Sequence, residues 1–285
     1  MKAIFFNRVL LVVMYALMAC LFPHLPGAKA DKLPLYEYGL AALGARFPHY
    51  RGSDEYSTYV LPVPYFVYRG KRLQANREGV RGIFFRYRNI QSALSLFGTP
   101  PVPNENSARR GLSRRDGTVE IGPAVRYFFY QDGENDTLYV ESAVRGVLSV
   151  GLEDGLDIAG QGISADCTLV YKNSSLFSEQ KIRYHLSTGP LFGDSRFHSF
   201  YYEVDSHEAT PFRQSYQAGG GYGGWQLSGS VLKEITAKLQ VALYGKWLNT
   251  SGAVFADSPL ARTTDNYVIG SMLIWKLGES SAREP

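Results

Sequence analysis

Val119-Glu120-Ile121-Gly122-Pro123-Ala124-Val125-Arg126-Tyr127-Phe128-Phe129-Tyr130 sets an apolar series at the odd positions against a more polar one at the even positions. The odd positions put Val119, Ile121, Pro123, Val125, Tyr127 and Phe129 on one side, and the even positions put Glu120, Gly122 and Arg126 on the other. A period of two is a β-strand with unlike faces. Segments of this kind, about ten residues long and separated by turn residues, recur almost to the end of the chain. Behind an export signal, that pattern predicts a transmembrane β-barrel.

The export signal is read from residues 1–30. Lys2 and Arg8 form a basic start, and the 14 residues from Val9 to Phe22 form an apolar run too short for a spanning helix. Ala28-Lys29-Ala30 then places cleavage before Asp31, which leaves one domain over residues 31–285. Leu17-Met18-Ala19-Cys20 is the alternative, a loose lipoprotein box with Cys20 lipidated. The chain has 30 basic and 26 acidic residues, and the leader holds three of the bases and no acid. The pI of about 8.9 is therefore largely a leader effect, and no nucleic-acid partner is read from it. Cys167 is the one cysteine after the leader, which excludes an intramolecular disulfide, and no cofactor is expected. No apolar stretch beyond the leader approaches the roughly 18 residues of a spanning helix. The 20 Tyr and 16 Phe suit the aromatic girdles of a barrel better than a soluble sandwich.

The alternation assigns strands to residues 35–44, 56–68, 72–77, 90–97, 118–130, 137–150, 163–171, 180–191, 196–204, 219–232, 237–248 and 266–277, with residues 78–89 left ambiguous. Pro62 and Pro64 cannot donate to a ladder, so the second strand is expected to be bent or partly unpaired there. Both termini of an outer-membrane barrel usually face the periplasm. Counting back from the last strand puts residues 249–265 and 205–218 outside, and makes Gly193-Asp194 a periplasmic turn. It also puts residues 98–116 on the periplasmic side, where a long loop is unexpected. Either that loop has a task or the count is off by one near residues 78–89. Glu120, Arg126, Glu141, Arg145, Lys181 and Arg183 fall on polar strand faces, as does His185. Charges facing lipid at mid-depth cost a few kcal/mol each, so these are expected to pair inside a narrow or plugged lumen. Gly270-Ser271-Met272-Leu273-Ile274-Trp275 is an outer-membrane closing segment, although ten residues follow its aromatic instead of none.

Three sets of stretches carry a resemblance. They are Pro48-His49-Tyr50-Arg51-Gly52-Ser53-Asp54 with Leu61-Pro62-Val63-Pro64-Tyr65; Gly189-Pro190-Leu191-Phe192-Gly193-Asp194-Ser195-Arg196 with Phe200-Tyr201-Tyr202-Glu203-Val204; and Ala256-Asp257-Ser258-Pro259-Leu260. In this order and spacing the chain resembles the MipA/OmpV family of outer-membrane proteins. The resemblance implies a barrel in the Gram-negative outer membrane, in contact with lipid and lipopolysaccharide. It also implies a scaffold bringing a lytic transglycosylase together with a murein synthase. Other relatives look like adhesins or small-solute channels. The family offers no catalytic residues to carry over, and the arginine-bearing segment 98–116 departs from its pattern.

The enzymatic rival is a barrel hydrolase built on Ser and His. His198-Ser199 fails it, because neighbours on a strand point to opposite faces. Asp205, His207 and Glu208 read as a solvated loop before a cation site. Gly219-Gly220-Gly221 is followed by neither Lys-Ser/Thr nor a helix, so it is no phosphate loop. The reading is a non-enzymatic scaffold, with Arg109, Arg110, Arg114 and Arg115 as its contacts to an anionic partner. The alternatives are a narrow channel using the lumen charges, and an adhesin using residues 205–218 and 249–265.

Overall fold

A computed structural model describes residues 33–76, 79–132, 136–152, 155–174 and 180–283. The leader and its cleavage position lie outside the described residues. Twelve antiparallel strands follow in chain order: β1 (Tyr36–Pro48), β2 (Tyr56–Arg69), β3 (Leu73–Asn76), β4 (Gly79–Tyr87), β5 (Ile90–Thr99), β6 (Gly117–Asp132), β7 (Asp136–Gly151), β8 (Asp157–Asn173), β9 (Ile182–Gly193), β10 (Gly221–Glu234), β11 (Leu239–Asn249) and β12 (Asp265–Glu279). Each pairs with its neighbours, and β12 closes on β1 to complete an outer-membrane-type barrel. Helix α1 (Ser195–Tyr202) lies between β9 and β10.

The alternation places side chains as read. On β6, Val119, Ile121, Val125, Tyr127 and Phe129 are exposed on the outer wall, while Thr118, Glu120, Ala124, Arg126 and Phe128 are buried. On β12, Leu273 and Trp275 of the closing segment face outward. The residues after Trp275 do not dangle. Four of them continue β12, and beyond it Ser280 N–H donates to Tyr36 O (2.9 Å) and Leu35 N–H to Ala282 O (2.8 Å).

Two strand assignments are corrected, and their errors cancel in the count. Residues 79–87, left ambiguous, form β4. Residues 196–204, read as a strand, contain α1 instead. The aromatic run Phe197 to Tyr202 mimics a strand, but Asp194 caps a helix: in extended conformation, it accepts a hydrogen bond from Phe197 N–H (2.8 Å). The helix packs against β8 and β9. Close approach is possible because Gly162 (φ +98°) sits under its first turn, where a Cβ would collide with Asp194 and the Phe197 backbone.

The cancellation changes sidedness between the two errors. With β4 counted, β5 runs away from the terminus end. Residues 100–116 therefore lie at the far end of the barrel, together with residues 49–55, 194–220 and 250–264. Gly193-Asp194 is at the far end too, not at the terminus end. Residues 205–218 and 250–264 keep the side assigned to them.

Candidate functional site: a capped mouth over a charged lumen

At the far end four segments interlock. Tyr202, Phe255, Tyr50, Val102, Ala218 and Ala253 form one buried apolar cluster, and Ala108, Val204 and Leu260 form a second. Tyr202 stacks on Phe255 (centroids 3.7 Å, interplanar 6°) and donates its hydroxyl to Arg51 O (2.8 Å). Tyr50 donates to Leu260 O (2.9 Å). Burial raises the Tyr50 phenol to about 12, so it stays a donor at physiological pH. Asn266 accepts from Gly52 N–H (2.6 Å) and donates to Ser53 O (2.7 Å). Residues 48–54, 200–204 and 256–260, from the stretches that carry the family resemblance, thus meet in the cap, while Leu61 to Tyr65 lie in the wall on β2.

The C-terminus of α1 explains two of the arginines. The last four carbonyls of a helix have no partner within it. Here Ser199 O accepts from Glu203 N–H (3.2 Å), Phe200 O from Arg115 Nε, Tyr201 O from Arg109 Nη1 (2.7 Å) and Tyr202 O from Ser258 Oγ (2.7 Å). All four are satisfied, three of them by other loops. Positive charge at this end also suits the helix dipole. Arg213 ties the same loops from outside, donating to Ala108 O, Arg110 O and Glu208 O.

His198 lies fully buried in this cap. Its Nδ1 is 2.8 Å from Gly219 O and its ring meets Phe255 edge-on, while Nε2 has no hydrogen-bond partner. An Nδ1–H donor with a bare Nε2 is the neutral ring. Burial lowers its pKa from 6.5, the Gly219 hydrogen bond and Asp194 oppose that, and Arg51 adds to it. The folded cap therefore binds fewer protons than the unfolded one at low pH. Its stability is complete above 6.5 and falls as pH drops below, by up to about 1.4 kcal/mol per unit. Limited proteolysis should show the cap loops opening between pH 7.5 and 5. His198→Asn should flatten that dependence, and an unchanged profile in this variant would assign the effect elsewhere.

Below the cap the lumen holds two adjoining cavities of about 520 and 610 Å³. Their polar walls are charge-paired. Arg126 and Glu141 are direct cross-strand partners joined by an ion pair (2.5 Å), with Arg126 also lying over the Tyr139 ring (4.9 Å). Arg145 pairs with Asp166 and donates to Ser95 (2.8 Å), and Glu120 accepts from Ser164. Arg183 pairs with Glu234 (2.6 Å), and Arg69 with Glu37 (2.7 Å).

A family model described as "MltA-interacting protein MipA" matches residues 40–277. The chain belongs to the MipA family. The match begins within β1 and ends within β12, so the MipA region takes in the sheet and every cap segment. No curated protein matches the chain. Among solved structures, a Pseudomonas aeruginosa FadL homologue is similar at 7% identity with a TM-score of 0.27, covering 87% of this chain and 91% of that one.

In this MipA-family barrel, five of the six expected lumen charges lie on strands, and each makes an inward contact described above. Lys181 does not join them. It lies exposed in the turn before β9 with φ +53°, because the strand starts one residue later. The four loop arginines divide. Arg109 and Arg115 hold α1, Arg110 is exposed, and Arg114 lies near Asp116 (3.5 Å). Asp166, Glu37 and Glu234, the acidic partners, were not singled out from sequence, although Asp166 shares the polar parity of Ser164 and Thr168 on β8. Tyr202, Asn266 and Arg213 were missed as well. Their partners are remote in sequence, and only the Asp194 cap offered a local signal. Asp205, His207 and Glu208 form a short capped turn in which Glu208 accepts from Asp205 N–H (3.4 Å).

Proposed function

We propose that this protein is a non-enzymatic scaffold of the Gram-negative outer membrane, linked to murein remodelling through a lytic transglycosylase of the MltA type. The observation that supports a scaffold over an open pore is the cap: its buried aromatic cluster and remote hydrogen bonds tie four loops together at one mouth. The family description, MltA-interacting protein, supports the choice of partner. With both termini in the periplasm, as is usual for such barrels, the cap faces outward. The arginine-bearing loop then faces outward too, away from a periplasmic enzyme. Contact falls instead to the terminus-end turns, where Arg88 (φ +49°) and Lys238 stand.

The test is capture of purified MltA-type transglycosylase by the barrel in mild detergent. Arg88→Glu together with Lys238→Glu should lower recovery at least tenfold, and Arg110→Ala together with Arg114→Ala should leave it unchanged. The reading is overturned by absence of capture, or by loss of capture through the cap substitutions alone.

A further inference from the structure

The barrel is hydrogen-bonded all round, but one seam is only partly sewn. β2 pairs with β1 along its whole length. On its other edge it pairs with β3 at Tyr68 and Arg69 alone. On the opposite side of the seam, β5 pairs with β4 from Ile90 to Leu94, while residues 95–99 have no β4 partner. Among the described residues, no strand fills the edge between residues 56–67 of β2 and the end of β5. Side-chain exposure marks the same place. Leu61 and Phe97 belong to the inward-facing series of their strands, yet they are 47% and 51% exposed. Tyr65 and Gln91, inward on the sewn part of the same strands, are 5% and 2% exposed.

The sequence of β2 fits a standing opening better than a docking edge for another strand. Arg69 N–H donates toward the β1 side, to Leu35 O (2.8 Å). Alternation then turns the even residues toward the open edge, and two of these are Pro62 and Pro64. Proline has no N–H, so this edge lacks two donors that a further strand would bond, and that a membrane interior would leave unsatisfied. The rim is apolar, with Val60, Leu61, Phe66, Leu96 and Phe97 exposed along it. Phe97 also lines both lumen cavities. The 520 Å³ cavity is lined by Arg51, Arg145 and Lys246 and by Glu120, Glu141 and Asp166. Arg145 pairs with Asp166 and Glu141 with Arg126, whereas Arg51 and Lys246 form no ion pair among the described residues and outnumber Glu120.

An apolar slot at the wall leading to unpaired cations defines its occupant. We infer that the β2–β5 gap is a lateral portal through which a single-chain amphiphile with an anionic head passes from the bilayer into the lumen. The head meets Lys246 and Arg51, and the chain lies against Leu61 and Phe97. The cavity is of the size that holds one such molecule. This inference does not rest on the scaffold reading, because it concerns the wall and not the terminus-end turns.

The test uses the full barrel in phosphatidylcholine vesicles and 11-dansylaminoundecanoate as the probe. Protein-free vesicles supply the partition background, and heat-modifiable migration reports folding. The probe should bind the barrel at least tenfold more tightly than the dansylated alcohol of equal chain length. Lys246→Met should remove that preference. Leu61→Trp with Phe97→Trp should slow probe entry at least tenfold, and Leu61→Trp alone should give a smaller slowing. Equal binding of acid and alcohol overturns the anionic site, and unchanged entry into the tryptophan variants overturns the portal.

Discussion

Tyr202→Ala is expected to leave the barrel wall folded and to unseal its far mouth. Tyr202 is 1% exposed, and its ring is shared among segments that are otherwise far apart: Phe255 lies against its face, with Tyr50 and His198 at its edge. Removing a buried aromatic costs about 3–5 kcal/mol. The lost hydroxyl leaves Arg51 O without its donor, adding roughly 1–3 kcal/mol where water does not enter. The wall strands do not share this ring, so the cost falls on the cap as a local unit. Two readouts should change together. Protease should cut within residues 205–218 and 250–264, and planar-bilayer recordings should gain conductance steps absent from the wild type. Tyr202→Phe keeps the stack and should lose only the roughly 1–3 kcal/mol of the hydroxyl, remaining protected and silent. A protected, non-conducting Tyr202→Ala protein would mean that the seal lies elsewhere.

Arg145→Met should be the most damaging single change in the lumen. Arg145 and Asp166 are each 11% exposed at the side chain, and Arg145 also holds Ser95. Deleting the guanidinium strands a largely buried carboxylate, for which about 3–5 kcal/mol is typical. Asp166→Leu added to Arg145→Met removes the stranded charge and should restore most of the loss. Urea unfolding of the reconstituted barrel measures both variants, and the double-mutant cycle isolates the pair. Simple addition of the two single losses would show that the pair is not coupled.

The barrel itself was legible because lipid outside and charge inside force a two-residue period, as β6 displays. Segments without that contrast were not legible. β4 has the sequence Gly79-Val-Arg-Gly-Ile-Phe-Phe-Arg-Tyr87, in which adjacent aromatics blur the period. The stretch Ser195 to Tyr202 combines aromatic β-formers with a helix whose evidence is a single capping aspartate and tertiary packing. Because one strand was missed and one invented, the total agreed while every loop between them changed sides. The arginines were noticed as a cluster, and their charge suggested a partner. Two of them instead serve carbonyls of α1, about 85 and 92 residues further along the chain. No spacing rule in the sequence could reveal that, because the acceptors are backbone atoms and carry no residue signature.

The hydrogen bonds of Asn266 to residues 52 and 53 join positions more than 210 residues apart, and Tyr50 reaches Leu260 over the same span. Asn266 sits in β12, whose pairing with β1 is the last closure available to the chain. Loops separated so far in sequence gain nothing from meeting until the ends of the sheet have met. Formation of the cap should therefore be the final event of assembly. Protection of residues 49–55 against protease would then serve as a clock for barrel closure, marking the moment at which a released chain becomes a finished one.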